Sequence, residues 1–349
     1  MILPISGALL GCAVGDAIGL PYEGLTKQRG VRLLGAPDCH RFVFGRGMLS
    51  DDTEHTCMVA QALCEAPNDP DLFARKFSAR LRWWLAGLPA GIGLATLKAT
   101  LKLWLGFSPS RSGVYSAGNG PAMRCPILGA VIDDLEMLRR FVKASTRITH
   151  TDPKAYYGAY AVALAAWCAR RGLHSPPEFF GQFRSTCAES TSDEFTALMA
   201  KVESSLATGE STATFAEQLG CRRGVTGYIY RTVPVALHCW LSHPRDYRLA
   251  VRSMVECGGD TDTTAAIVGA IVGSGVGRDG IPREWIDRIW EWPHSVAWME
   301  QLAEAVSTAV QTGTPVKPPQ TFFGARLARN GIFTGIVAKH VARRLLPPY

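Results

Sequence analysis

The sequence lacks the cysteine spacings that mark structural zinc sites and disulfide frameworks. Its ten cysteines are scattered, with no CxxC pair and no Cys/His cluster, and the two nearest are Cys57 and Cys64. This pattern fits reduced thiols in a reducing compartment, most of them acting as small core residues. Neither a zinc-binding module nor a small disulfide-bonded secreted domain is indicated.

The chain also lacks a basic leader before its apolar amino terminus. The stretch MILPISGALLGCAVGD reaches Asp16 without a lysine or arginine. We therefore interpret it as a buried helix and not as a signal peptide or lipoprotein anchor, which LLGC superficially resembles. The uncharged run from Thr263 to Val276 is too short to cross a bilayer. We expect a cytoplasmic protein without a transmembrane segment.

Most of the chain has little net charge. The formal charge is +7, and six positive charges without any acidic residue fall between residues 317 and 349, which leaves residues 1 to 316 at +1. Binding of nucleic acid would need a basic face on the main domain, because phosphate contacts dominate such interfaces. No nucleic-acid partner is expected.

Strand-like alternation and internal repeats are absent as well. Apolar residues recur instead at helical spacing, and they predict helices over 54 to 66, 72 to 88, 157 to 172, 178 to 190 and 285 to 292. The chain of 349 residues is 47% apolar, which is enough for one large core. The fold class expected is all-α, a compact multi-helix bundle whose polar and glycine-rich loops share one functional face.

A Pro- and Gly-rich segment, TGTPVKPPQT at 312 to 321, is the first plausible linker. It divides a main domain at 1 to 311 from a basic, amphipathic extension at 312 to 349. The favoured interpretation of the extension is a helical hairpin docked on the domain. A membrane-surface or partner-binding element is the alternative, because basic amphipathic helices serve all three uses.

Two acidic clusters each follow glycines and precede an apolar helix. GRGMLSDDTEHT holds Ser50, Asp51 and Asp52, and GGDTDTT holds Asp260 and Asp262. One aspartate could be a helix cap, but two with neighbouring threonines supply more oxygen atoms than a cap needs. Four carboxylates without His or Cys favour Mg²⁺ or Mn²⁺, and so many ligands make a dinuclear centre reasonable. The alternative is that both clusters are ordinary caps.

Five ordered blocks resemble the ADP-ribosylglycohydrolases, a family that includes the dinitrogenase reductase activating glycohydrolase and the ADP-ribosylarginine and ADP-ribosylserine hydrolases. They are GALLGCAVGDAIGLPYEG (7 to 24), SDDTEHT (50 to 56), SAGNGPAMRCPILG (116 to 129), ITHTDP (148 to 153) and GGDTDTTAAIVGAIVG (258 to 273). The resemblance covers about residues 5 to 300 and does not include the tail. It implies an orthogonal all-α bundle with two Mg²⁺ ions in a cleft, where Mn²⁺ could replace Mg²⁺.

Site residues follow from the resemblance position by position. The metal ligands that it implies are Ser50, Asp51, Asp52, Asp260, Asp262 and Thr263. The residues that it implies around ADP-ribose are Ser116, Gly118, Asn119, Gly120, Met123 and His150. Asp51, Asp52 and Glu23 are the candidates for proton transfer, and the sequence does not choose among them. Asp16 is interpreted as a structural residue that binds loop backbone.

The function implied is metal-dependent hydrolysis that removes ADP-ribose from a modified protein. An arginine linkage is our first expectation, and a serine linkage stays open. The partners expected are an ADP-ribosylated protein and, as a further candidate, a cognate ADP-ribosyltransferase or toxin. The alternative function is a non-catalytic or weakly catalytic protein on the same scaffold that binds ADP-ribose or a partner, for example an immunity protein that blocks such a toxin.

Overall fold

The computed structural model describes residues 2–187 and 192–344, and in this part of the chain every regular element is a helix. The all-α prediction is confirmed there. The first helices are α1 (Ile2–Gly19), α2 (Lys27–Leu34), α3 (Asp51–Glu65), α4 (Pro70–Ala86), α5 (Leu94–Trp104), α6 (Pro109–Ser112), α7 (Gly120–Arg124), α8 (Pro126–Val131), α9 (Leu135–Arg147) and α10 (Pro153–Ala169). They are followed by α11 (Pro176–Cys187), α12 (Asp193–Ala207), α13 (Thr212–Gln218), α14 (Ile229–Ser242), α15 (Tyr247–Val255), α16 (Thr261–Val276), α17 (Arg283–Ile286), α18 (Val296–Thr312) and α19 (Phe323–Arg344).

Helices α1 and α16 pack antiparallel at the centre of the fold. A Cβ atom at Gly11 would overlap the backbone carbonyl oxygen of Gly269, and one at Gly15 would overlap that of Ala265. Only glycine on α1 therefore allows the two backbones to lie this close. The close packing predicted from the glycines of α16 is confirmed, and the matching series on α1 comprises Gly7, Gly11, Gly15 and Gly19.

The carboxyl end of α1 lies between the amino ends of α3 and α16. Asp16 Oδ2 accepts hydrogen bonds from the Ser50 backbone N–H at 2.9 Å and from Thr53 Oγ1 at 2.6 Å. On the other side, Thr261 Oγ1 donates to the Gly19 carbonyl oxygen at 2.9 Å. The structural role predicted for Asp16 is confirmed. These bonds bring both acidic clusters to the same end of α1.

The amino-terminal segment is apolar because it is a core element. Ile2–Tyr22 is long and apolar enough to cross a bilayer, with a mean hydropathy of 1.6 over its most apolar window, but 83% of that window is buried inside the protein. The core helix of a globular protein and a membrane span have the same length and composition. The packing against α16 accounts for the composition of this helix.

Four of the predicted helices match α3, α4, α10 and α11, although residues 188 to 190 of the fourth lie outside the described part of the chain. The helix predicted over 285 to 292 is wrong, because α17 ends at Ile286. Beyond it, the Arg288 carbonyl oxygen accepts from Gly47 N at 3.0 Å, and Trp290 N donates to the Gly47 carbonyl oxygen at 2.7 Å. Bonding to a distant loop takes the place of the next helical turn.

The carboxyl-terminal segment also differs from the expectation. Residues 323–344 form one helix, α19, where a helical hairpin was predicted. Arg329, Asn330 and Phe333 are buried on one face of α19, and Asn330 Nδ2 donates to the Gly87 carbonyl oxygen at 2.7 Å. Because these three residues share one face, a straight helix buries all of them at once, whereas a turn at Gly331 would separate them.

Candidate functional site

The first acidic cluster is held at the start of α3. Ser50 caps this helix, since its Oγ accepts from Asp52 N at 3.3 Å and also donates to Asp52 Oδ2 at 2.9 Å. Asp52 Oδ2 receives a further hydrogen bond, at 3.2 Å, from Thr263 Oγ1 on α16. The structure therefore brings Ser50, Asp52 and Thr263 together, although Asp52 and Thr263 lie 211 positions apart in the sequence.

The second cluster lies on a turn of two glycines with positive φ. Gly259 has φ +85°; it donates to the Leu25 carbonyl oxygen at 3.0 Å and accepts from Gly24 N at 2.7 Å. Asp260 follows in the capping position of α16, yet its side chain makes no capping hydrogen bond. Its Oδ2 accepts from Asn119 Nδ2 at 2.7 Å instead. The interpretation as ordinary caps holds for Ser50 and fails for Asp260.

Carboxylates from both clusters line a single pocket. Asp51 from the start of α3, Asp262 from the start of α16 and Glu23 from the loop after α1 lie in its wall, beside Ser50. The hydrogen bond between Gly24 and Gly259 fixes the loop that carries Glu23 next to the second cluster. Four of the residues that the sequence nominated for metal binding or proton transfer, Glu23, Ser50, Asp51 and Asp262, thus line one cavity.

Burial and mutual repulsion act on the carboxylates in this region. Burial raises the pKa of Asp51, Asp52 and Asp262 well above the ordinary range, and their mutual repulsion and that of other nearby carboxylates raise it further. The pKa of Glu23 is raised too, because neighbouring protein atoms displace water from its carboxyl group and because Asp260 is close. Each of these shifts disfavours the ionised form. A bound cation would reverse that preference.

The donor atoms at this site fit a hard divalent cation. Asp52 Oδ1 and Asp262 Oδ1 are buried and have no hydrogen-bond partner within the described residues. An unpaired buried carboxylate oxygen is costly, and a cation would satisfy it. No three His, Cys, Asp or Glu side chains in the described part of the chain are arranged to hold a metal by themselves. The ligand set would therefore depend on the hydroxyl groups of Ser50 and Thr263.

The glycine-rich loop before α7 packs against His150. A Cβ atom at Gly118 would lie 3.1 Å from His150 Nε2, and one at Gly120 would lie 3.2 Å from the His150 ring. Ser116 Oγ accepts from Gly118 N at 3.3 Å within the loop. The backbone N–H of Asn119 donates to the Gly227 carbonyl oxygen at 2.9 Å. The loop is thus shaped by its neighbours, while its contacts with ADP-ribose stay a prediction.

Two of the residues nominated for ADP-ribose have partners inside the protein. The side chain of Asn119 donates to Asp260 and, at 3.1 Å, to Thr232 Oγ1. Met123 is 4% exposed and belongs to the main hydrophobic core, so its side chain offers little surface to a ligand. Asn119 therefore links the glycine-rich loop to the second acidic cluster, and ligand contacts of either residue remain predicted only.

A buried arginine that the sequence reading missed supports His150. Arg124 is fully buried and donates to Thr149 Oγ1 at 2.7 Å and to the Ser145 carbonyl oxygen at 2.9 Å. Thr149 Oγ1 in turn lies 2.8 Å from His150 Nδ1. Burial, with the Arg124 charge, lowers the pKa of His150 to about 3, which keeps this imidazole neutral near pH 7. The signal was a single arginine within the small and apolar residues of GPAMRCPILG.

Comparisons with known proteins identify the family to which the chain is similar. A family model described as ADP-ribosylglycohydrolase matches residues 5–315. An uncharacterized protein from Archaeoglobus fulgidus is 31% identical over 80% of this chain and 89% of its own length. The ADP-ribosyl-[dinitrogen reductase] glycohydrolase of Rhodospirillum rubrum is 27% identical over 81% of this chain and 89% of its own. The human ADP-ribosylhydrolase ARH3 is 28% identical over 80% of this chain and 87% of its own.

The fold comparison points in the same direction. A solved structure titled ADP-ribosylglycohydrolase-related protein complex superposes with a TM-score of 0.64. It is 25% identical in sequence, and the match covers 88% of this chain and 98% of that one. The agreement therefore extends over nearly the whole of the solved chain.

Proposed function

The chain belongs to the ADP-ribosylglycohydrolase family and hydrolyses glycosidic bonds of ADP-ribose, and from this premise we propose that it removes ADP-ribose from modified arginine side chains of a target protein. The reaction breaks the bond between the ribose C1″ atom and a guanidine nitrogen. Water supplies the hydroxyl group to C1″ and a proton to the nitrogen. The products are ADP-ribose and an unmodified arginine.

The acidic pocket is the observation that carries this proposal. Glu23 lines the pocket together with Asp51 and Asp262 and is not among the metal ligands proposed below, so its carboxylate still favours a group that bears positive charge when cations neutralise the other two. Arginine presents a guanidinium group, whereas a serine linkage presents a neutral oxygen. The Glu23 carboxylate thus supports arginine, and the names of the relatives leave the linkage open.

We further propose that two Mg²⁺ ions are held by Ser50, Asp51, Asp52, Asp260, Asp262 and Thr263, and that Mn²⁺ can replace them. A bound divalent cation would neutralise the carboxylates and act as a Lewis acid toward ribose hydroxyl groups and water. The unpaired oxygen atoms of Asp52 and Asp262 support this assignment.

Glu23 is the best candidate for proton transfer among the three residues nominated. Asp52 is 1% exposed, and one of its oxygen atoms is occupied by two hydroxyl donors, so it has no path to a substrate. Glu23 is more exposed than Asp52 and lines the pocket, and burial raises its pKa, a direction that favours a carboxyl group able to hold and release a proton. Asp51 lines the same pocket and is better suited to hold the cation.

The deciding experiment measures ADP-ribose release from arginine-linked and serine-linked peptides in parallel, with Mg²⁺ and with excess chelator. We expect release from the arginine-linked peptide that requires Mg²⁺. Asp262→Asn should lower kcat at least about 100-fold, because it removes one predicted ligand from a site that works as a unit. Asp193→Asn is the matched control, since Asp193 also lies in the first turn of a helix but is exposed and does not line the pocket.

Each other outcome has a definite meaning. Full activity in chelator would refute the metal assignment. Release of ADP-ribose from the serine-linked peptide alone would mean that the substrate is an oxygen-linked and not an arginine-linked ADP-ribose. ADP-ribose binding without hydrolysis of either peptide would favour the non-catalytic alternative.

A further inference from the structure

Helix α19 contributes to the lining of the acidic pocket. Phe333, Val337 and Arg344 line the cavity from this helix, and Glu23, Asp51 and Asp262 line the same cavity from other segments. The family match ends at residue 315, before α19 begins. A segment outside the matched domain therefore covers the residues nominated for the chemistry of that domain.

The first half of α19 is firmly anchored. Arg329 is 2% exposed and forms an ion pair with Glu291 at 2.6 Å. Phe333 packs in a small buried cluster with Leu20 and Phe42. These contacts hold the first half of α19 against the domain.

The last two turns are held by fewer and more exposed contacts. His340 Nε2 lies 2.6 Å from the Phe42 carbonyl oxygen, and its ring stacks on Phe42 with a centroid distance of 4.7 Å. Arg344 Nη2 donates to the Pro21 carbonyl oxygen at 3.1 Å, and Arg29 donates to the Arg344 carbonyl oxygen. Val341 is 47% exposed. Fewer buried contacts mean a lower free energy of local opening than for the anchored half.

The charge at the end of α19 complements the pocket. Arg344 lines the cavity that Glu23 and Asp262 line, and these two carboxylates are the acidic groups whose charge acts on its guanidinium group. Lys339, on the same helix, is exposed and does not line the pocket. One particular cation of the helix thus lies close enough to Glu23 and Asp262 for their charge to act on it, while its guanidinium group donates to the Pro21 carbonyl oxygen.

We propose that residues 337–344 are a pseudosubstrate lid, in which the guanidinium group of Arg344 occupies the acidic pocket and must leave before a substrate can bind. The identification of Arg344 as a substitute for the substrate's arginine rests on the proposed function. The proposal that the lid competes with any ligand of the pocket does not rest on that function. The apparent affinity for a ligand of the pocket equals the affinity of the open state multiplied by the fraction of molecules in which the lid is open.

The test compares Arg344→Ala with the matched control Lys339→Ala, which removes the same charge from the same helix. ADP-ribose binding is measured by calorimetry in Mg²⁺ buffer, and kcat and KM are measured on the arginine-linked peptide. We expect Arg344→Ala to bind ADP-ribose about fivefold more tightly and to lower KM by a similar factor, with kcat unchanged. Lys339→Ala should match the wild type, and thermal unfolding should confirm that both variants are folded.

A chain truncated after Ala338 provides a second variant, because it retains the anchored half of α19 and lacks Arg344. It should bind ADP-ribose at least as tightly as Arg344→Ala does. Unchanged or weaker binding in both variants would overturn the lid, and so would a complete lack of binding, since removal of the lid would then have opened no ligand site. If ADP-ribose binds more tightly to both variants but the arginine-linked peptide is not hydrolysed, the proposed function is wrong and the lid proposal is supported.

Discussion

The ion pair between Arg329 and Glu291 provides a sharp test of how α19 is attached. Arg329 Nε donates to Glu291 Oε1 at 2.8 Å and Nη2 donates to Oε2 at 2.6 Å, so the pair is bidentate. As whole residues, Arg329 is 2% exposed and Glu291 is 9% exposed. Arg329→Met would remove the cation and leave the Glu291 carboxylate buried. Its remaining donors would be the backbone N–H groups of Leu49 at 3.1 Å and Trp292 at 3.0 Å.

The expected magnitude follows from that unpaired charge. Breaking a buried ion pair from one side destabilises a protein by about 3–5 kcal/mol, because the other charge loses its compensation without regaining water. Burial already raises the pKa of Glu291, and Arg329 opposes this shift. Adding Glu291→Gln to Arg329→Met removes the Glu291 charge, while Glu54, whose Oε1 lies 3.8 Å from Arg329 Nη1, keeps its own. The double variant should therefore be less destabilised than the sum of the two single variants, by about 2 kcal/mol.

Urea unfolding at equilibrium measures these free energies, with tryptophan fluorescence and circular dichroism as independent probes. Lys339→Met is the control on the same helix, and it should change the free energy of unfolding by less than about 0.5 kcal/mol because Lys339 is exposed. A loss below about 1 kcal/mol for Arg329→Met would refute the reasoning. Strictly additive single and double variants would do the same, since they would mean that the two side chains do not interact.

Two further predictions concern the centre of the fold. Burial raises the pKa of Asp16 from 3.8 to about 6. Between these two pH values Asp16 holds a proton in the folded state but not in the unfolded state. The free energy of unfolding should therefore fall by about 3 kcal/mol as the pH rises through this window. Asp16→Asn should flatten this part of the pH profile in chelator, and equal slopes for the two proteins would contradict the assignment. Gly11→Ala should destabilise the protein by about 1–3 kcal/mol or more, because the methyl group would overlap the Gly269 carbonyl oxygen. Gly181→Ala, a helical glycine with no atom near its Cβ position, should be neutral or stabilising by up to about 1 kcal/mol, and a similar loss in both variants would argue against close packing of α1 and α16.

Local features were within reach of the sequence. The apolar periodicity of α3 and α10 and the turn chemistry before Ser50 and Asp260 depend on residues a few positions apart, and each is correctly read from the chain alone. The ordered blocks also sufficed for the family. The two acidic clusters could be nominated as partners because carboxylates in such apolar surroundings need compensation.

Contacts between distant segments had to come from the tertiary structure. Only the tertiary structure shows that the side chain of Asn119 donates to Asp260. It also shows that Arg124 donates to Thr149, which in turn lies next to His150. After Ile286 the chain forms hydrogen bonds with Gly47 instead of continuing a helix.

The placement of α19 has the same origin. The sequence determined that the tail is basic and amphipathic, but composition describes only one of the two surfaces that meet. The tertiary structure decided which surface the tail covers, because Glu291 and the pocket carboxylates are brought opposite Arg329 and Arg344 only when the whole chain has folded.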